Sequence, residues 1–429
     1  MIAGSAAGNG TAAACAPATA GGVQGADDRV TFYLIFLLLA LSVVGFYDSF
    51  ATAFRYRMTS YVRQEFGVEL GVMAGLFTWV YLGSCFAFIP RVLADVFGRK
   101  TILWLSLVGM CALHWMIGYS RSPVEYTVFL TATSLFYRAD LWLLVMSEEA
   151  PPRYRGTAMA LMVAIAGLGT LALGELVKRM GPGADSWREV ARFPIYGCLL
   201  SLPILFFMRE TRHFQNVRAG NRRIVEWRLL WLPFATRFRR SLLVVSFLKM
   251  VLAGGILVVI SVVETDFLRV DNGFGTEIVG WLIQGDVLAI TAGWIVAGLL
   301  ADLIGRRPAT YILSAVYTAS LALFALLPKG STGVILFSVV HNFASSGIYA
   351  ILRVASMEFF PNDCRATAVA WTDLFAALFA AFSTWFLSQL LGWGLSLTAV
   401  IIFCALVIPF VIPLYQFLPE TKGLRLEQV

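Results

Sequence analysis

Arg91 to Leu103 reads R-V-L-A-D-V-F-G-R-K-T-I-L, a charged interruption between two runs too apolar to live in water. Its core returns two hundred residues later as Gly298 to Arg307, G-L-L-A-D-L-I-G-R-R. Around these loops the chain is 59% apolar and only 14% charged, with a mean hydropathy of +0.77. A soluble domain is about 25% charged, so the apolar surface needs lipid as its solvent. A lipid core of ~30 Å takes about 20 apolar residues per crossing, and only helices or a closed barrel satisfy the backbone there. The apolar runs are long and do not alternate, which selects helices.

Twelve spans are expected, at 30–54, 71–91, 101–119, 124–147, 157–177, 192–208, 241–263, 277–300, 309–328, 333–357, 366–391 and 396–417. They divide the chain into a six-helix bundle over 30–208, a basic linker over 209–240 and a second six-helix bundle over 241–417. Residues 1–29, rich in Ala and Gly without an apolar core, read as a disordered tail rather than a cleaved signal, and 418–429 as a second tail. The fold class is an all-α membrane protein. Its net charge of +7 comes from loop residues between spans and does not call for nucleic acid. The six cysteines and three histidines are scattered, with no metal-ligand spacing and no disulfide framework.

The two halves repeat. Glu148, Pro151, Arg155, Thr157, Ala158 and Ala160 recur as Glu358, Pro361, Arg365, Thr367, Ala368 and Ala370, and Glu210-Thr211 recurs as Glu420-Thr421. Leu93-Ala94-Asp95 with Gly98-Arg99 becomes Leu300-Ala301-Asp302 with Gly305-Arg306. Three signatures in the same order at nearly one offset indicate duplication, and an even number of spans per half makes the repeats parallel. Lys and Arg concentrate on one side, nine of them in 209–240 alone, which puts both termini in the cytoplasm. Arg55, Arg57 and Arg63, placed in the first outer loop, run against that rule.

The pattern Leu-Ala-Asp-x-x-Gly-Arg-Lys/Arg after spans two and eight resembles the major facilitator superfamily. Glu148-x-x-Pro151-x-x-x-Arg155-Gly156 and Pro419-Glu420-Thr421-Lys422-Gly423 resemble its sugar-porter and metabolite-symporter branches. Arg91 stands where the family loop begins with Gly, whereas the second copy keeps Gly298. Span seven lacks the Gln-rich pattern of sugar porters, and span five lacks the Gly-Pro pair of drug antiporters. The resemblance implies that the loop charges latch the two halves at the cytoplasmic side. The residues in that network are Asp95, Arg99, Lys100, Glu148, Arg155 and Glu210, with Asp302, Arg306, Arg307, Glu358, Arg365 and Glu420. The plainer alternative is a topology signal with surface ion pairs worth about 0–1 kcal/mol.

Ionisable residues within spans are costly and mark cavities or partners. Asp48, sharing a polar stripe with Ser42, Gly45 and Thr52, is a candidate proton or substrate site, or the partner of a basic residue. Arg138 has the fork to hold a carboxylate in two bonds; Asp140, two residues on and on a different face, is a further substrate or proton candidate, or the partner of another helix. Lys249 and Asp286 are candidates serving the cavity from the second half, and His341, on a polar stripe of span ten, is a further substrate or proton candidate, or a hydrogen-bonded core residue. Arg353 and Asp373 are expected to form an inner gate pair.

The resulting expectation is a secondary transporter working by alternating access, with a small organic anion as substrate and protons as the driving ion. A sugar or polyol is the second substrate class, and a non-transporting receptor on the same fold is the competing function. No nucleophile–base set, metal cluster or Walker loop is present, so neither an enzyme nor a cofactor is called for. The expected setting is the inner cell membrane, as a functional monomer.

Overall fold

The computed structural model describes residues 31–137, 141–151, 155–181, 183, 185–211, 214–215, 231–360 and 362–418. The side chains of Asp95, Arg155, Glu358 and Arg365 lie outside the described set, as do Arg138, Asp140, Glu420, the first tail, most of the linker and all but the first residue of the second tail. Every regular element among the described residues is helical.

Among the described residues, ten helices are long and apolar enough to cross a membrane: Phe32–Arg57, Arg99–Ile117, Pro123–Glu149, Thr157–Lys178, Phe238–Asp271, Thr276–Ile304, Arg306–Leu326, Thr332–Val354, Thr367–Gly392 and Leu397–Phe417. The second and sixth crossings are broken. The second runs as Leu70–Ser84 and Phe88–Phe97, with Pro90 in the first turn of the second piece, where a missing N–H costs nothing. The sixth runs as Trp187–Arg192, a 3₁₀ turn Phe193–Ile195, Tyr196–Leu200 and Leu202–Phe207. Pro194 and Pro203 each begin a piece, because proline cannot continue the hydrogen-bond ladder of the turn before it.

Two helices extend further than their apolar runs suggest. The first reaches Arg57, and the seventh continues to Asp271 through a π-helical stretch at Met250–Leu257. Arg57, expected in a loop, is the last residue of a helix, and Glu264 and Asp266 lie within one. Ion pairs described below compensate these charges.

The turns after spans two and eight define one end of the bundle, here the loop end. Gly98 (φ 106°) and Gly305 (φ 103°) take the same left-handed conformation, which a side chain would strain. The tightest approach inside the first half is at Gly169, where a Cβ would collide with the Phe46 carbonyl of span one. Overpacking of this kind costs about 1–3 kcal/mol. Gly169→Val is therefore expected to lower the thermal midpoint of the purified protein clearly; an unchanged midpoint contradicts this contact.

Candidate functional site

At the loop end, the charged residues organise each half internally. Glu210 Oε1 accepts from the backbone N–H of Arg99 (2.7 Å) and Lys100 (3.2 Å), capping the third helix with a carboxylate. Arg99 Nη2 donates to Glu148 Oε1 at 3.1 Å. In the second half Arg306 pairs with Asp302 at 3.4 Å, and Arg307 Nε donates to the Leu418 carbonyl at 3.1 Å. Each of these contacts joins residues of the same half. The latch expected between halves at this end is not formed by them in this conformation.

The halves are joined at the far end instead. Among the described residues, the hydrogen bonds and ion pairs between halves all lie in the far-end part of the bundle. Arg57 Nη1 donates to Glu264 Oε2 at 2.8 Å, and its Nη2 donates to Asp286. Arg63 Nε donates to Asp266 Oδ1 at 2.6 Å. Arg269 donates to Ser60 (2.9 Å) and Gln64 (3.0 Å) and lies over the Tyr61 ring at 3.5 Å. Lys178 Nζ donates to Gln284 at 3.2 Å and sits 3.6 Å from the centre of the Trp281 ring. Small residues let the backbones approach at two crossings. A Cβ on Gly174 would meet the Gly280 carbonyl at 2.8 Å, and one on Gly75 would meet Ser388 Oγ at 3.1 Å.

Beneath this rim lies a buried polar cluster. Ser338 Oγ donates to Glu264 Oε1 at 2.8 Å, and Asn342 Nδ2 reaches Glu264 (3.2 Å) and Asp286 (3.0 Å). His341 Nε2 is 3.4 Å from Glu264 Oε1. Asp286 and His341, expected to line the substrate path, are brought together here with Arg57 across the interface. Glu264 has no place in the sequence reading, because the apolar run of span seven ends one residue before it. A signal was available: Arg57 and Glu264 stand 207 residues apart, the offset that relates Asp95 to Asp302. They hold equivalent positions in the two repeats with opposite charge.

At mid-depth, Lys249 Nζ donates to Thr372 Oγ1 (3.0 Å) and Asp373 Oδ1 (2.8 Å). This corrects the expected Arg353–Asp373 pair: Asp373 faces span seven, and Arg353 makes no ion pair among the described residues. The Lys249 side chain is 2% exposed and that of Asp373 is 58% exposed. Lys249 and Asp373 lie thirteen and eleven positions from the loop-end starts of their helices at Thr236 and Asn362, roughly 17–20 Å along them at 1.5 Å per residue. An aspartate exposed at that depth faces water rather than hydrocarbon.

In the first half, Asp48 borders a small cavity with Ser106, Met110, Phe136 and Trp142. Spans one, three and four supply its walls. Arg138 and Asp140, its neighbours in sequence on span four, lie outside the described residues. Among the described residues, no cluster of three or more His, Cys, Asp or Glu is placed to hold a metal.

Comparison with known proteins agrees with this architecture. The family model described as "Sugar (and other) transporter" matches residues 221–429. A probable 4-methylmuconolactone transporter of Cupriavidus pinatubonensis is 24% identical over 355 residues, 79% of each chain. The 4-hydroxybenzoate transporter PcaK of Acinetobacter baylyi is 24% identical over 420 residues, 87% of this chain and 89% of that one. Among solved structures, the inward open xylose transporter XylE from E. coli superimposes with a TM-score of 0.68 at 16% identity, covering 92% of this chain and 98% of that one. The nucleoside transporter NupG superimposes with a TM-score of 0.70 at 12% identity, covering 89% and 98%. The paired Asp-x-x-Gly-Arg loops and these likenesses support a membrane transporter of the major facilitator type.

Proposed function

We propose that this protein is a proton-coupled symporter of small organic anions. In this reading the bundles 30–208 and 241–417 rock about a site at mid-depth. The loop end and both termini face the cytoplasm, the protein lies in the inner membrane, and the monomer is the working unit. The observation that carries the substrate class is the Lys249–Asp373 pair. A buried ammonium on span seven holds one exposed carboxylate on span eleven, part-way along both helices. A substrate carboxylate can take the place of Asp373 on Lys249, and Arg138 is the complementary cation from the first half. The relatives support this choice: those named above are a probable 4-methylmuconolactone transporter and a 4-hydroxybenzoate transporter, and a further one is a cis,cis-muconate transport protein.

The test is counterflow uptake in proteoliposomes against a panel of 4-hydroxybenzoate, muconate and D-xylose. The acids are expected to exchange and the sugar not to. Exchange of the sugar alone rejects the anion reading. Charge-assisted hydrogen bonds are worth about 1.5–3 kcal/mol, so Lys249→Gln and Arg138→Gln should each weaken acid binding by about 10–100-fold. Unchanged KM for the acid in both variants contradicts the assignment.

A further inference from the structure

The far-end cluster carries an imbalance that the transport scheme leaves unused. Two carboxylates, Glu264 and Asp286, are 2% and 4% exposed, and a single guanidinium, Arg57, binds both. Burying an uncompensated charge is costly, so such a group is paired or takes up a proton. The charged and titratable groups around the cluster are few. Arg55 leaves the other face of span one towards the hydroxyls of Tyr56 and Tyr81. Arg63 and Asp266 pair with each other at the rim. Arg269 spans the interface there, bonded to Ser60 and Gln64 and partly open to solvent. Lys178 is paired with Glu175 at 2.6 Å. Tyr317 stands beside His341, with ring centres 6.4 Å apart.

His341 supplies the second observation. It is 1% exposed, and its Nε2 has no hydrogen-bond partner although it lies 3.4 Å from Glu264 Oε1. An unpartnered buried nitrogen facing a carboxylate is placed to share a proton with it.

We propose that Glu264, Asp286 and His341 form a proton-binding site that must take up one proton for the far end to close over Arg57. When the halves part, Arg57 leaves with the first half, and the second half presents both carboxylates to water, where they need no compensation. Closure buries them against one positive charge, and the added proton, held among Glu264, Asp286 and His341, completes neutrality. The cluster is sealed while the loop end is open, so that proton leaves by the side it entered. It gates closure and adds nothing to the energy drawn from a proton gradient. This rests on the alternating-access reading above but not on the substrate or on Asp48. The consequence is a rate of closure that rises with acidity at the far side.

The test needs no substrate. Spin labels on cysteines introduced at Glu69 and Lys329, exposed far-end residues of the two halves, report the closed-to-open ratio. The protein is full length, in lipid nanodiscs, in a background cleared of native thiols. The closed state binds one more proton, so lower pH favours it. The ratio is expected to rise about tenfold per pH unit across the binding range between pH 8.5 and 5.5. Asp286→Asn leaves Arg57 and Glu264 balanced and should stay closed at both pH values; Glu264→Gln, leaving Arg57 with Asp286, should do the same. A wild-type ratio that ignores pH or falls with acid overturns the proposal, as do variants that follow pH as the wild type does. These results separate from the transport reading. Acid-driven uptake with a pH-blind latch leaves symport standing, and a titrating latch without acid uptake leaves the latch standing.

Discussion

Asp48→Asn abolishes uphill, proton-driven uptake while exchange of substrate across the membrane continues. Asn keeps the size and much of the hydrogen bonding of Asp and removes the titration. Asp48 borders a small cavity walled by Phe136, Trp142 and Met110 and opened by one hydroxyl, Ser106. A carboxyl there, within a membrane span, is a costly group that is retained for function. It stands on span one, which also carries Arg57 and therefore moves with the first half as the far end opens and closes. Its protonation state can thus differ between the two facing states, which is what coupling requires. Loss of accumulation with retained counterflow is the expected pattern. Proton-driven accumulation that survives the substitution removes Asp48 from the coupling step.

The second large effect is expected at Arg57. Removing one member of a buried ion pair leaves its partner uncompensated and costs about 3–5 kcal/mol. In Arg57→Met two buried carboxylates lose their guanidinium. The closed far end should be destabilised by that amount, which shifts the closed-to-open ratio by about 10²–10⁴. Exchange and uphill uptake should then fall together, because both need the far end to close. This contrasts with Asp48→Asn, which spares exchange. Label distances at Glu69 and Lys329 read the shift directly. An Arg57→Met protein that closes and exchanges like the wild type contradicts the role given to the far-end contacts.

The fold was legible because its signals are redundant. Apolar length marks ten of the spans, and the Asp-x-x-Gly-Arg loops fix the turns at Gly98 and Gly305, whose φ values agree within a few degrees. The broken spans were legible as apolar runs but not as broken helices, since the break depends on where Pro90, Pro194 and Pro203 fall in the turn. The site was legible in part. Lys249, Asp286, His341 and Asp373 stand out as charges or polar groups within apolar runs. Their pairing did not follow from sequence: Lys249 and Asp373 are 124 positions apart, and only tertiary packing decides that Asp373 meets Lys249 rather than Arg353.

The far-end cluster was the main omission, and its cause is instructive. Arg57 and Arg63 looked like exceptions to the charge asymmetry that orients membrane proteins. They are counter-ions to Glu264, Asp286 and Asp266 in the other half. A basic residue on the side where the rule expects few calls for an acidic partner, and the repeat offset pointed to Glu264.

The measurement closest to the central claim is uptake of 4-hydroxybenzoate or muconate into proteoliposomes of the purified chain, driven by a proton gradient imposed inward with no substrate gradient. The account predicts accumulation above the external concentration that collapses when a protonophore is added. Uptake that only equilibrates, or that is unaffected by the protonophore, contradicts it.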